Sequence, residues 1–331
     1  MQGAVNTAPT GLHRRATRYV AAVTATTQTS ADSTAASETP RGLLGAGMAV
    51  TAWSTGTILA KYLDMDALAI GTYRFFVFFV GITFYMRARG VPFKMQIIRK
   101  SMWGGIALGA DIVFFFSAIK ETSVVNATTI GSLQPILVGV VAARFFGEKI
   151  RLRDALWSLV ALAGAFVVVT SSTSNDVTSL RGDLLAVAAM FSWSAYFIAS
   201  KNSRSTMTST EFTAGTSIWT AAICLVIGLP LGQDLSWPNA SNWGWLILMI
   251  LGSGIVGHSL MNWSLQRIPL WVGSTFTLFI PVASAALAWL ILDEAVTALQ
   301  GIAMACVIGA LAMIVRGQTK PGAKAAAKTA A

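Results

Sequence analysis

Three ionisable side chains, Arg74, Asp111 and His258, fall inside long apolar stretches of the sequence, away from the charged segments that separate those stretches. Charge carried into hydrocarbon is costly, so such residues are functional candidates by default. Asp111 stands mid-way along its stretch, a carboxylate placed to bind a cationic group or to take up and release a proton. Arg74 stands about one-third along the preceding stretch. Arg74 is eight residues from Asp66 and Asp111 is nine from Lys120. At ~1.5 Å per residue both lie about 12–14 Å below the same end. Two roles are open: an Arg74–Asp111 ion pair tying two helices together, or a substrate or proton site at Asp111. Histidine titrates near neutrality and suits proton relay. Asn262 lies one turn beyond His258 and shares its helix face; the competing role for His258 is packing with a single hydrogen bond. Pro135 and Pro281 each remove a backbone donor and break a helix, opening a carbonyl toward whatever lies opposite.

These residues need a membrane around them. Apolar residues make up 54% of the 331-residue chain and charged residues 11%, roughly half the charged share of soluble domains. Ten apolar runs of bilayer-spanning length follow one another: about 42–61, 67–86, 103–120, 124–146, 154–171, 182–200, 211–230, 243–264, 270–292 and 297–315. The expected fold is therefore an all-α polytopic membrane protein. The net charge of +10 lies in the short connections, where it reports topology and not nucleic acid. Cys224 and Cys306 both fall in apolar runs and read as small core hydrophobes, with no disulfide or metal-ligand spacing. Residues 1–41 are rich in Ala, Thr and Ser with Arg14, Arg15 and Arg18, and read as a disordered tail, with an organelle targeting segment as the alternative. Residues 316–331 read as a basic disordered tail.

The chain also repeats itself. Gly42–Lys61 aligns with Gly182–Lys201, bringing Trp53 to Trp193, Ser54 to Ser194 and Lys61 to Lys201 at an offset of 140. Later segments align at an offset of 146, Pro135 with Pro281 and Glu148 with Glu294. Asp111 falls opposite position 257, next to His258. Two five-span units result, 42–171 and 182–315. Because five is odd, the second enters the membrane from the opposite side, giving two inverted five-helix repeats of the kind used for alternating access. Of the Lys and Arg residues, 20 fall on the side of the chain termini, 3 on the other and Arg74 within a span; this bias sets both termini in the cytoplasm. Trp103, Trp237, Trp243 and Trp245 read as interfacial belt residues, and Glu148 and Glu294 as exposed or capping groups at helix ends. A row of small residues at Gly131, Pro135, Gly139, Ala143 and Gly147, and a second at Gly301, Ala305 and Gly309, reads as close helix packing.

These features together resemble the EamA-type transporters of the drug/metabolite transporter superfamily. The resemblance covers about 42–315 and rests on the duplicated Trp-Ser followed by Lys61 or Lys201, Arg74, and the proline-containing helices ending in Gly147-Glu148-Lys149 and Asp293-Glu294. It implies ten helices, a central cavity between the halves, and export or import of small metabolites. By position it implicates Asp111, Phe115, Gln134 and Trp193 as cavity residues; Trp53 joins them as the repeat counterpart of Trp193.

The function expected is secondary active transport of a small polar or zwitterionic metabolite, such as an amino acid or amine, by proton-coupled export. Trp faces can hold a cationic or aromatic ligand. The rival readings are a channel-like or sensory scaffold, and an organellar metabolite exchanger. HExxH, GxSxG, nucleotide loops and acidic clusters are absent, so the chain is not expected to be an enzyme or to need a metal or cofactor. The expected partners are a metabolite and the lipid bilayer, with a homodimer left open and no nucleic acid. The expected location is the bacterial inner membrane, with an organellar membrane as the alternative.

Overall fold

The computed structural model describes residues 38–171 and 179–319. The tails expected over 1–41 and 316–331 thus fall for the most part outside the described residues. Among those residues the chain forms ten helices long and apolar enough to span a bilayer, and no strand. The first five are α1 (Glu38–Ala60), α2 (Ala67–Ala88), α3 (Met95–Glu121), α4 (Val124–Phe145) and α5 (Leu152–Thr170). The second five are α6 (Leu180–Ser203), α7 (Ser209–Gly228), α8 (Ala240–Leu265), α9 (Leu270–Leu292) and α10 (Ala298–Thr319). The largest departure from the expected spans is α3, which begins eight residues before 103 and carries Arg99 and Lys100 in its first turns. A backbone that satisfies its own hydrogen bonds has no reason to stop where the hydrocarbon does.

Local chemistry sets the helix ends. Ser123, Ser179 and Asn239 each accept the amide three residues on, and Thr208 with Glu211 forms a reciprocal capping box. Gly147 and Asp293, counterparts in the two repeats, both close their helices in the left-handed region, with φ of 62° and 55°. Glycine and, at some cost, aspartate tolerate that conformation.

Three helices depart from regular geometry. α4 is interrupted by a turn at Ser132-Leu133, just before Gln134-Pro135, and α9 by a turn at Thr277-Leu278, just before Pro281. The interruptions occupy equivalent places in the two repeats. α8 contains a π-helical stretch, Ile250–His258, which carries Gly252, Gly254 and Gly257. Such wider turns cluster at functional sites, and nothing in the apolar periodicity of this span had marked one.

Each helix finds its main partners in the opposite half. α3 packs against α6 and α7, α2 against α7, and α5 against α10. α1 lies against α8 and α9: Ser54 Oγ donates to the Ile280 carbonyl (3.2 Å) and Thr57 Oγ1 to Ser284 Oγ (3.1 Å). α6, the counterpart of α1, lies against α3 and α4. The halves are therefore interleaved about a pseudo-two-fold relation.

Close approach across this interface is made by glycines outside the rows expected to make it. A Cβ at Gly131, Gly301 or Gly309 would meet nothing within 4 Å. At Gly104 it would press on the Phe212 ring, at Gly109 on Ile223, and at Gly105 on Trp219 and the Thr216 carbonyl. The packing seam is thus the α3 pair Gly105 and Gly109, four apart, against α7. Apolar character alone does not say which face of a span meets protein and which meets lipid. Cys224 is buried where α7 meets Gly71, but Cys306 is exposed on α10, so only one cysteine is a core residue.

Gly105→Val would force α3 off α7, because its near neighbours include backbone. Overpacking of this kind costs about 1–3 kcal/mol, so the variant should melt several degrees lower in detergent by a thermal-shift assay. Gly301→Val should leave the melting temperature unchanged.

Candidate functional site

Between α3, α4, α6 and α9 lies a cavity of about 330 Å³. α3 contributes Asp111, Ile112, Phe115 and Phe116; α4 contributes Ala127, Thr128, Gly131 and Ser132. α6 contributes Ala186, Ala189, Met190 and Trp193, and α9 contributes Thr277, Leu278, Ile280 and Pro281. The two helix interruptions face this space, so Thr277 and Gly131, counterparts in the repeats, both line it. Asp111 is the single ionisable wall residue, and it has no hydrogen-bonding or ion-pairing partner among the described residues.

Of the site residues singled out in the sequence, Asp111, Phe115, Trp193 and Pro281 meet in this cavity, joined by Gly131 of the small-residue row, and the other site residues lie elsewhere. Arg74 does not pair with Asp111: its Nη2 donates to Ser253 Oγ in the π-helical stretch of α8 at 2.6 Å. The equal depths counted along the chain hold no information on azimuth. Gly71 of α2 sits on Cys224 and Ile112, and one turn further Arg74 faces α8 and not α3.

Trp53 and Trp193 do not face each other across a space. Their rings meet edge to face with centroids 5.2 Å apart, and Trp53 packs against Gly257 so closely that no side chain would fit there. Trp193 lines the cavity; Trp53 lies outside the lining, packed against Trp193, Phe197 and His258. The Trp53 Nε1 is buried without a partner among the described residues.

His258 and Asn262 are part of a buried polar network. Asn262 Nδ2 donates to Thr213 Oγ1 and to Tyr196 Oη, each at 2.9 Å, and Asn262 Oδ1 accepts from Ser200 Oγ at 2.7 Å. Tyr196 Oη lies 3.3 Å from His258 Nδ1, and the rings of Trp53, Phe75 and Tyr196 surround the imidazole. This network joins α6, α7 and α8 behind the cavity wall. Gln134 is buried as well: its side-chain amide lies 3.3 Å from Thr277 Oγ1, linking α4 to α9 at their interruptions. Pro135 lines a separate apolar groove with Gly139 and Ala143.

Sequence reasoning passed over Phe116, Thr128, Met190 and Thr277. The α6 wall had a readable signal, since Ala186, Ala189, Met190 and Trp193 fall at i, i+3, i+4 and i+7, one helix face. Thr128 and Thr277 had none, because threonines that bond back to a carbonyl one turn earlier are common in apolar helices; each does so here.

The cavity continues toward one end of the molecule. A second space of about 310 Å³ shares Thr128 and Pro281 with the first and reaches Lys61 and Glu294. At the opposite end, the C-terminal part of α4 packs on the N-terminal part of α9. The two helices cross as a V that is closed toward Lys201 and splayed toward Lys61.

An interleaved ten-helix duplication around a central cavity defines a membrane transporter fold. The chain belongs to the EamA-like transporter family: the family model matches residues 40–170 and again residues 180–316. It is 29% identical over 228 residues to an aromatic amino acid exporter, YddG, of Ancylobacter novellus, covering 67% of this chain and 75% of that one. It is 24% identical over 266 residues to a probable amino-acid metabolite efflux pump of Escherichia coli, covering 76% and 87%. A solved crystal structure shares the fold with a TM-score of 0.73 at 21% identity, covering 86% of this chain and 99% of that one. The protein is thus a multi-pass transporter of the bacterial inner membrane and not an enzyme.

The Asn262 network is a stability element. Asn262→Leu strands the Ser200 hydroxyl, removes a partner from Thr213 and Tyr196, and should cost about 1–3 kcal/mol. Thermal melts of Asn262→Leu, Tyr196→Phe and the double variant should show clear non-additivity, with a smaller loss in the double variant than the sum of the single losses.

Proposed function

We propose that this chain exports an amino acid or a closely related zwitterionic metabolite by alternating access, with the ammonium group of the substrate on Asp111. The observation that carries the reading is the unpartnered Asp111 carboxylate in a cavity otherwise walled by Phe115, Phe116, Trp193, other apolar residues and the hydroxyl residues Thr128, Ser132 and Thr277. A carboxylate in such a space discriminates for a cation, and aromatic faces add attraction for a cationic or planar group. The aromatic surface and the volume of about 330 Å³ suit a single amino acid with a sizeable side chain. Both relatives, an aromatic amino acid exporter and a probable amino-acid metabolite efflux pump, agree in class with this chemistry.

The same carboxylate serves as the coupling site. A proton and a substrate cation compete for one group, so binding of either excludes the other, and exchange of the two across the membrane follows. The interleaved repeats support alternating access, because each conformation has a counterpart with the roles of the two halves exchanged. With the termini in the cytoplasm, as the 20-to-3 distribution of basic residues favours, the splayed Lys61 end faces outward.

The test is exchange in proteoliposomes. Labelled L-phenylalanine should enter by saturable counterflow, driven by an opposing proton gradient, and Asp111→Asn should lower that flux at least tenfold and remove its pH dependence. Normal pH-dependent exchange by Asp111→Asn would remove Asp111 from coupling. Flux that neither saturates nor responds to a gradient would instead indicate a channel. Running L-threonine beside L-phenylalanine decides whether the aromatic wall selects the substrate.

A further inference from the structure

The two ends of the cavity are held differently by equivalent residues. Glu148, read in the sequence as an exposed or capping group, is only 13% exposed and caps, reaching across to the start of α9. Its Oε1 accepts the Leu270 amide at 2.7 Å and its Oε2 the Trp271 amide at 3.2 Å. Lys201 Nζ, also largely buried, lies 3.6 Å from Glu148 Oε1 and donates to the Ile268 carbonyl at 2.5 Å. One carboxylate thus joins α4, α6 and α9 and seals this end.

The repeat relation puts Glu294 in the place of Glu148, Lys61 in that of Lys201, and Val124 and Val125 in those of Leu270 and Trp271. At that end the seal is not made. Among the described residues Glu294 pairs with Lys61 alone, and the two are 54% and 52% exposed. Val124, Val125, Lys61 and Glu294 line the space of about 310 Å³ between them. A difference in sequence sharpens the contrast. Ser123 caps α4 by accepting the Asn126 amide, whereas its counterpart, Pro269, offers α9 no side-chain acceptor. The first amides of α9 therefore depend on Glu148, and a carboxylate there makes charge-assisted hydrogen bonds at the positive end of a helix.

We infer that Glu148 and Glu294 are alternating latches of the transport cycle, each closing one end of the cavity by capping the first amides of the opposite half's proline-broken helix. In the present conformation Glu148 is latched on α9; closure of the Lys61 end carries Glu294 onto the amides of Val124 and Val125 as the Glu148 contact breaks. Because α4 has its own cap and α9 has none, the Glu148 latch is the stronger, and the resting protein is open toward Lys61. This inference rests on the alternating-access reading above.

The two can be tested separately by cross-linking. Val124→Cys and Ala288→Cys place thiols on α4 and α9 across the open space, in a background carrying Cys224→Ala and Cys306→Ser. In reconstituted protein, copper-phenanthroline should join them slowly, each time the Lys61 end closes. Adding Glu148→Gln should speed the cross-link about tenfold, as expected for loss of a charged acceptor, and adding Glu294→Gln should slow it. Glu148→Asp keeps the charge but is too short to hold both amides; it should give an intermediate rate and serves if the glutamine variant does not accumulate. A cross-link that forms at the parent rate in the Glu148 variants overturns the latch and leaves alternating access standing. No cross-link in any background overturns both.

Discussion

The close approach of α3 to α7 through Gly104, Gly105 and Gly109 is the contact on which the remaining structure depends. Within a bilayer there is little hydrophobic gain in bringing helices together, so association relies on close van der Waals packing and on interhelical polar bonds. Small residues supply the first, and here they sit where one half meets the other. Polar bonds supply the second: Asn262 with its three hydroxyl partners, and Trp219 Nε1 donating to the Ile98 carbonyl at 2.8 Å. Both kinds join the halves or brace the helices around the junction. What is left between α3, α4, α6 and α9 is the cavity.

That cavity owes its shape to backbone that is not fully helical. A proline in α4 and another in α9 remove a donor in the middle of the membrane, and a turn forms just ahead of each. Irregular backbone at that depth survives only where protein or a cavity, and not lipid, surrounds it. Both interruptions face the cavity, and the bond between Gln134 and Thr277 holds them in step. The same interruptions give α4 and α9 a place to bend, which a V closed at one end and splayed at the other requires. The π-helical stretch of α8 does a related task for Arg74: its extra width presents Ser253 to the guanidinium.

Charge is used sparingly and in distinct ways. Arg74 is held by a neighbouring hydroxyl, away from the cavity. Asp111 is left open to the cavity. The two lysine–glutamate pairs stand at the ends, one buried and capping a helix, the other exposed. Exposed pairs contribute little to stability, so the unequal burial of two equivalent pairs makes the fold lopsided in energy as well as in shape. A symmetric architecture with unequal ends has a preferred state, which a transporter can exploit.

The number of spans, their boundaries to within a few residues except at the start of α3, the duplication and the likeness to EamA-type transporters were all legible in the sequence. Each depends on local composition or on residue-by-residue repetition, which a single chain displays in full. Asp111, Phe115 and Trp193 could also be singled out, because a carboxylate in an apolar helix is conspicuous and a duplicated Trp-Ser is easily aligned. What tertiary structure alone decided was azimuth and pairing. Equal depth suggested an Arg74–Asp111 pair, but the helix faces point elsewhere; Trp53 and Trp193 touch and have no ligand-sized space between them; the spaced small residues of α10 meet no neighbour while those of α3 carry the packing. Period and spacing say how far along a helix a residue lies. Which neighbour it meets depends on the rotation of each helix, and that is set by contacts between residues a hundred or more positions apart.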